Sequence, residues 1–316
     1  MVFKDEEEQR LYESAVILEL HPGDNCSRVR VEYRSPPEVR ASSRSSNIFK
    51  AGTLVNGNLY TCTSTEVLIY EVPSFKRIGY VSLPCFNDLH HVTPTRDENL
   101  LVANTGLDMG MKVTPRGELL AAWDVLDEVP WSRFSREADY RKVESTKPHR
   151  SHPNFVFELG DDVWVTRFFQ RDAICLTDRK KRIDLGGEKP HDGVALAGYL
   201  YFTTVDGRLV IVNATTLLVE TIVDLNQIEG DGAAPLGWCR AVLPLSETLV
   251  WVGFTRVRKT KFVENLLWVK HGFRERERPT HIRLYDIVGK NCLREIELET
   301  LGLDVIFGIY PAPQCA

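Results

Sequence analysis

Short apolar segments recur along the whole chain and are separated by tight-turn sequences. The clearest unit spans residues 190–225, where four apolar runs alternate with Ala197-Gly198, Asp206-Gly207 and the polar residues 213–216. Runs of β-branched and aromatic residues joined by such turns are typical of strands connected as hairpins. The pattern therefore predicts a four-stranded antiparallel meander, whose strands are numbered here from first (inner) to fourth (outer).

The second strand of this unit recurs five times. Equivalent residues in the five copies lie 41, 63, 37 and 49 positions apart, and they are Tyr60, Leu101, Trp164, Tyr201 and Val250. Four strands repeated about every 40 residues indicate the blades of a β-propeller. The two long steps predict two insertions, residues 126–150 and residues 256–279. The second insertion has apolar residues at helical spacing, which predicts an amphipathic helix and a possible contact between subunits.

The chain ends contribute further strands. Residues 15–21 and 28–33 alternate between apolar and polar positions, and residues 305–311 resemble another inner strand. A propeller closed by strands from both ends leaves no sheet edge open. We therefore expect one all-β domain over residues 1–316, a six-bladed β-propeller of four-stranded antiparallel blades whose last blade is shared by the two ends. Five blades with an N-terminal hairpin as a cap is the alternative.

Composition narrows the possible partners. A net charge of −5 gives no electrostatic reason to expect nucleic acid or an anionic membrane as a partner. No apolar run approaches the ~18 residues that a transmembrane helix needs. The N-terminus is acidic, and the seven cysteines are scattered without a CxxC pair, which favours reduced thiols. A cytoplasmic protein with a small-molecule substrate is the resulting prediction.

The topology of a meander selects one face of the ring for a site. Consecutive strands run antiparallel, so the connections that enter each inner strand lie on the same face as those between second and third strands. Both insertions fall on this face, and variable loops over a rigid ring commonly carry function. The first of the predicted blades carries few ionisable residues in its first two strands and is interpreted as structural.

Histidines concentrate at the predicted starts of inner strands. Five of the eight lie within three residues of such a start: His90, His91, His149, His152 and His191. Imidazoles brought together from separate strands suit Fe²⁺, Zn²⁺, Mn²⁺ or Cu²⁺, which predicts a divalent metal bound by His91, His152 and His191. Asp88 and Asp192 are candidate ligands or hydrogen-bond acceptors for the imidazole N–H groups.

Other residues at the same rim complete the predicted site. Arg167, Asp192 and Arg240 are the candidate catalytic residues, since a histidine beside an arginine can perform acid–base or group-transfer chemistry on an anion without a metal. The candidate substrate-binding residues are His90, His149, Asn104, Asn154, Thr204 and Trp238. A purely structural role, with each histidine hydrogen-bonded to the neighbouring blade, is the alternative for any one of them.

The blade pattern resembles the six-bladed propeller superfamily that includes gluconolactonase-like lactonases, strictosidine-synthase-like proteins and arylsulfotransferases. The segment Ser151-His152-Pro153-Asn154 is similar to the HPNG strand starts of the lactonases, but histidines dominate here where that group binds metal through acidic and Asn side chains. Arylsulfotransferase-like propellers place His and Arg at the axis, a role that the resemblance extends to His91, His152, His191 and Arg167. Carotenoid-cleaving propellers bind iron through four axial histidines, but they have seven blades, which does not match the six predicted here.

These observations predict an enzyme that acts on a small polar substrate at a histidine-rich, metal-dependent site at the channel mouth. Two other functions stay open. One is a propeller that binds a ligand or a protein without catalysis, and the other is metal-free transfer of a group by His and Arg. Function inferred from a propeller fold alone is analogy.

Overall fold

The structure is a computed structural model, and it describes residues 12–21, 23, 26–42, 46–230, 236–257 and 278–312. It begins with an antiparallel hairpin of β1 (Ala15–His21) and β2 (Cys26–Tyr33). The strands that follow form five four-stranded antiparallel sheets, and in each sheet strands consecutive in sequence are adjacent in space. The chain is therefore an all-β propeller of five blades with an additional hairpin.

The strands of the first two blades are β3 (Thr53–Val55), β4 (Asn58–Cys62), β5 (Val67–Glu71), β6 (Lys76–Val81), β7 (Leu89–Pro94), β8 (Leu100–Asn104), β9 (Met109–Val113) and β10 (Leu119–Asp124). The third and fourth blades contain β11 (Pro153–Leu159), β12 (Asp162–Arg167), β13 (Asp172–Cys175), β14 (Arg182–Asp184), β15 (Pro190–Leu196), β16 (Tyr199–Thr204), β17 (Arg208–Asn213) and β18 (Val219–Asp224). The fifth blade contains β19 (Trp238–Pro244), β20 (Leu249–Thr255), β21 (His281–Asp286) and β22 (Asn291–Glu297).

Helical segments are short and connect the blades. The α-helix α1 (Leu225–Glu229) follows the fourth blade. In the described residues, 3₁₀ helices span Pro37–Val39, Thr105–Leu107, Tyr140–Lys142 and Glu299–Leu301.

Turn chemistry sets the strand pairing. Ala197 and Gly198 both have positive φ, 51° and 84°, as a type I′ turn requires, and this turn joins β15 to β16. The aromatic and β-branched side chains of β16 are almost entirely buried between neighbouring blades. Trp164 and Tyr201, each 1% exposed, lie in two different core layers, Trp164 between the third and fourth blades and Tyr201 between the fourth and fifth. The predicted repeat is thus confirmed as a set of stacked four-stranded blades.

Hydroxyl and amide groups also join adjacent blades. Thr53 Oγ1 donates to the carbonyl of Val92 (3.2 Å), and Thr203 Oγ1 donates to the carbonyl of Arg240 (3.2 Å). Thr105 Oγ1 donates to the carbonyl of Pro153. These bonds fix the starts of the inner strands, which carry the site described below.

The predicted sixth blade is not present as a four-stranded sheet in the described residues. Both chain ends nevertheless lie in the gap between the fifth and first blades: Leu20 and Ile306 pack against the fifth-blade cluster around Trp251, and Ile17 and Tyr310 pack against the first-blade cluster. Ile306 exchanges hydrogen bonds with Thr255 Oγ1. Residues 305–311 pair with no strand, because an apolar cavity lined by both segments lies between them and β1.

The first insertion packs against the second blade. Tyr140 is buried, and its backbone N–H donates to the carbonyl of Pro84 (2.7 Å). Arg133 pairs with Asp108 and Asp124. The segment therefore has a fixed position on the ring. The predicted amphipathic helix of the second insertion, and the subunit contact predicted for it, fall largely on residues 258–277, outside the described residues.

Candidate functional site

The inner strands of four blades share one irregularity where the predicted site lies. Each has one residue more than its partner strand, between Leu89 and His91, Pro153 and Val156, Pro190 and Gly193, and Cys239 and Ala241. Such bulges bend a strand and re-aim a side chain. The residues that the irregularities span are His90, Asn154, Phe155, His191, Asp192 and Arg240.

Three histidines from different blades meet as a result. The ring of His90 lies 4.8 Å from that of His152 and 6.0 Å from that of His191, between centroids. His90 and His191 are each 6% exposed. Their Nδ1 atoms are buried and have no hydrogen-bond partner. Three imidazoles are therefore within reach of a single small ligand.

The end of the first insertion contributes a fourth histidine. His149 Nδ1 lies 2.7 Å from His152 Nδ1, and the two rings stack. Asp108, which is 1% exposed, holds this segment: its carboxylate accepts hydrogen bonds from the backbone N–H groups of Arg150, Ser151 and His152 at 2.8–3.1 Å. Asp108 positions the pair, because it fixes the backbone that carries His152.

Two cations complete the group around Phe307. Lys50 Nζ lies 4.7 Å from the centroid of the Phe307 ring, and Arg240 Cζ lies 4.4 Å from it. The same ring contacts those of His90 and His191. Asp88 is the neighbouring acid, 3.4 Å from Lys50 Nζ and 3.3 Å from His90 Nε2. We define the axial cluster as Lys50, Asp88, His90, His149, His152, His191, Arg240 and Phe307.

Burial keeps the histidines neutral. Desolvation lowers the pKa of His90 to about 4, assisted by Lys50. Desolvation also lowers the pKa of His152 and His191 well below the usual value, and the charge of Arg240 contributes at His191. Burial alone raises the pKa of Asp88, but Lys50 and His90 outweigh it and hold that pKa well below its usual range.

Desolvation lowers the pKa of Arg240 to about 10. A cation whose charged form is penalised in this way binds an anion more readily, because the anion replaces lost solvation.

A polar cavity of about 450 Å³ reaches this cluster. It lies between residues 35–48 and residues 141–149, and Lys50, Asp88 and His149 form part of its lining. Hydroxyl groups from Ser and Thr and the side chains of Arg40, Arg141 and Lys147 supply most of the remaining polar lining. The cavity has the volume of a small-molecule site.

His91 does not join His152 and His191, although the sequence predicted those three as metal ligands. It lies against the Phe155 ring, at 4.7 Å between centroids, and its Nε2 is 3.5 Å from Thr53 Oγ1. His90 takes its place, since the bulge leaves neighbouring residues of β7 on different sides.

Arg167 is also engaged elsewhere. It forms a bidentate ion pair with Asp172, at 2.8 and 2.6 Å, and donates to the carbonyl of Val125.

Four predicted substrate-binding residues have structural positions. The side chain of Asn104 donates to the carbonyl of Cys85 and accepts from the N–H of Asn87. Asn154 Nδ2 donates to the carbonyl of Pro190, and Thr204 Oγ1 donates to the carboxylate of Asp206. Trp238 begins β19 and is paired with Thr255 of β20. His90 and His149 do belong to the axial cluster.

Asp192 is next to the cluster but directed toward the fifth blade. Its side chain is buried, and desolvation raises the pKa of the carboxyl well above its usual value, although the N–H groups of Gly193 and Val242 act in the opposite direction. The neutral acid is favoured there.

The predicted divalent metal stays a prediction, and this arrangement does not favour it. Within the described residues, no three or more His, Cys, Asp or Glu side chains are placed to hold a metal ion. Lys50 and Arg240 add positive charge beside the three imidazoles, which opposes a bound cation.

Lys50, Asp108 and Phe307 were not among the candidate residues predicted from sequence. Lys50 was missed because the first blade was interpreted as structural. Lys50 nevertheless precedes β3, the inner strand of that blade, and its backbone N–H donates to the carbonyl of Cys62 at the end of β4. Asp108 lies between the 3₁₀ helix Thr105–Leu107 and β9, in a connection where an Asp resembles an ordinary turn residue. Phe307 lies in the C-terminal segment, where no polar residue pointed to a site.

The chain folds as a β-propeller in which Lys50 and Arg240 lie beside a group of histidines. A crystal structure of a protein of unknown function from Bacteroides caccae is similar to this chain, with a TM-score of 0.55 and 13% sequence identity over 88% of each chain. At that identity the likeness shows the fold alone. No family model and no curated protein sequence matches the chain. In the described residues, no helix has the length and apolar character needed to cross a membrane.

Proposed function

We propose that this propeller is an enzyme that binds a small anionic substrate at the axial cluster and acts on it by acid–base chemistry without a metal. The excess of positive charge is the observation that carries the proposal. Lys50 and Arg240 both contact Phe307, and Asp88 is the carboxylate paired with Lys50. Among the described residues, no carboxylate lies within ion-pair distance of Arg240, and its Nε has no partner.

The two cations and the imidazoles have different roles in this proposal. Lys50 and Arg240 hold the anionic group, since charge-assisted hydrogen bonds from such groups are the strong ones. His90 and His191 are neutral, and each has a buried Nδ1 with no partner, so each can exchange a proton with a substrate atom near the ring. Asp88 Oδ1 lies 3.3 Å from His90 Nε2, and its charge stabilises the imidazolium that forms when Nδ1 takes a proton.

Binding of simple anions tests the first half of the proposal. We expect phosphate, sulfate or acetate to bind to the full chain with one site, as measured by calorimetry and by thermal stabilisation. Lys50→Gln and Arg240→Gln should each weaken that binding at least ~10-fold, which corresponds to the loss of one charge-assisted hydrogen bond. Lys76→Gln, on the exposed outer strand β6, is the matched control and should leave binding unchanged.

Turnover tests the second half. Anions that bind should be incubated with the protein and followed by NMR for new products. For a substrate found in this way, His90→Gln or His191→Gln should lower kcat about 10²-fold or more, the range of a lost general acid or base. Recovery of every bound anion unchanged would favour a non-catalytic ligand-binding propeller. Anion binding that Lys50→Gln and Arg240→Gln do not weaken would refute the proposed site.

A further inference from the structure

A second, larger cavity lies beside the axial cluster, in the gap between the fifth and first blades. Its volume is about 650 Å³. β1 and residues 302–312 line it together with the two neighbouring blades. Apolar side chains dominate the lining, including Leu18, Leu20, Phe49, Leu59, Trp251 and Ile309. An apolar cavity of this volume can hold most of a drug-sized ligand.

The two cavities meet at the axial cluster. Lys50 lines both of them, and Phe307 lines the apolar one while its ring contacts Lys50, Arg240, His90 and His191. The positive charge thus stands at one boundary of an apolar space. A ligand that extends from one cavity into the other must pass Lys50 and Phe307.

We propose that the substrate is an amphiphilic monoanion, whose acidic head binds at Lys50 and Arg240 and whose unbranched apolar chain lies in the apolar cavity. This inference rests on the proposed function and names its substrate class. Burial of apolar surface drives such binding in proportion to the area removed from water. The cavity fits the apolar chain because its wall is formed by leucine, isoleucine and aromatic side chains.

Charge in the lining limits the ligand to one anionic group. Among the described residues, Lys50 is the only basic one that lines the apolar cavity, whereas Glu13, Glu19 and Asp304 also line it. A second carboxylate inside the cavity would find no further basic lining residue to pair with and would lose its hydration. A monocarboxylate is therefore preferred over a dicarboxylate of equal length.

A series of acids of increasing chain length tests the apolar chain. Binding of acetate, butyrate, hexanoate, octanoate and decanoate to the full chain should strengthen by about 4-fold per methylene until the cavity is full. The dicarboxylate of octanoate's length should bind at least ~10-fold more weakly than octanoate. An affinity that does not change with chain length would overturn the inference.

Two variants that fill the cavity locate the chain. Leu20→Trp and Ile309→Trp narrow the space from two separate segments of the chain, so each should abolish the gain from butyrate to octanoate and leave acetate binding unchanged. Two variants are needed because overpacking destabilises some large substitutions in a well-packed region. An unchanged chain-length dependence in both folded variants would contradict the placement.

Fluorescence gives a second readout that does not depend on affinity. Octanoate brominated at its terminal carbon should quench Trp251, which lines the cavity, and the quench should be lost in Trp251→Phe. The same quench in Trp251→Phe would place the chain elsewhere.

The outcomes separate this inference from the proposed function. If the cluster binds anions but the apolar cavity takes no chain, acetate and octanoate bind equally and both depend on Lys50. If the cavity binds apolar chains but the cluster does not bind the head, octanol binds as tightly as octanoate and Lys50→Gln has no effect. Both results contradict the amphiphilic substrate, and only the second also contradicts the proposed function.

Discussion

His149 and His152 face each other with their Nδ1 atoms 2.7 Å apart. At that distance one Nδ1 must donate a hydrogen and the other must accept it, because two bare lone pairs would repel. Desolvation lowers the pKa of both rings, so both are neutral at pH 7 and hold one proton between their Nδ1 atoms. The insertion and the third blade are therefore joined by a pair that can respond to charge placed beside it.

Imidazole NMR can observe this pair directly. We predict that ¹⁵N spectra at pH 7 show His149 and His152 as neutral rings, one protonated at Nδ1 and the other at Nε2 only. A bound anion favours the charged imidazole, so at least one cluster histidine should shift toward the imidazolium when sulfate is added. The loss of that response in Arg240→Gln is the control. A charged pair in the free protein would contradict the neutral assignment.

Asp108 should be a main contributor to the stability of the site. Its buried carboxylate accepts three backbone N–H bonds and pairs with Arg133, so Asp108→Ala leaves several buried groups without a partner. We expect a loss of about 3 kcal/mol in the free energy of unfolding, measured by urea denaturation. Asp97→Ala is the control: its carboxylate is exposed and pairs with Lys112, and a change within ~1 kcal/mol is expected.

The buried histidines predict how stability depends on pH. The pKa of His90 is about 4 in the folded protein, below its ordinary value of 6.5, so between these values the unfolded chain binds a proton that the folded chain does not. Stability is therefore complete above pH 6.5 and falls as the pH decreases toward 4, by about 3 kcal/mol for His90.

Urea titrations between pH 7 and 4.5 measure this dependence. His90→Gln should flatten the slope, whereas His21→Gln, at the exposed end of β1, should not. Equal slopes in wild type and His90→Gln would contradict the burial argument.

Closure of the ring should depend on the C-terminal segment. A chain that ends at Leu303 loses the hydrogen bonds between Ile306 and Thr255 and the packing of Phe307 and Tyr310. We expect it to lose cooperative thermal unfolding, as followed by circular dichroism and calorimetry. A truncated chain that melts like the 316-residue chain would show that the five blades close without the C-terminal segment.

Some features of the structure could be predicted from the sequence and others could not, for physical reasons. The blade repeat was predictable, because a two-residue alternation and turn residues determine strands and their order. The choice between His90 and His91 was not, since one extra residue in β7 reverses which side chain faces the other blades.

The other differences between the predicted site and the structure come from residue contacts that the repeat pattern does not reveal. Arg167 pairs with Asp172, its partner across a two-strand ladder, and so is not available to a ligand at the histidines. Lys50 and Arg240 are far apart in the chain, and only the closed ring brings both to Phe307.

A crystal structure with bound selenate tests the central claim most directly, because selenium identifies the anion by its anomalous scattering. The account predicts one peak within hydrogen-bond distance of Lys50 Nζ and the Arg240 guanidinium, with the rings of His90 and His191 beside it. Elemental analysis of the same protein should show no stoichiometric transition metal. An anomalous peak from a transition metal bound by His90, His152 and His191, with selenate absent from the cluster, would contradict the account and favour a metal site like the one predicted from the sequence, with His90 in place of His91.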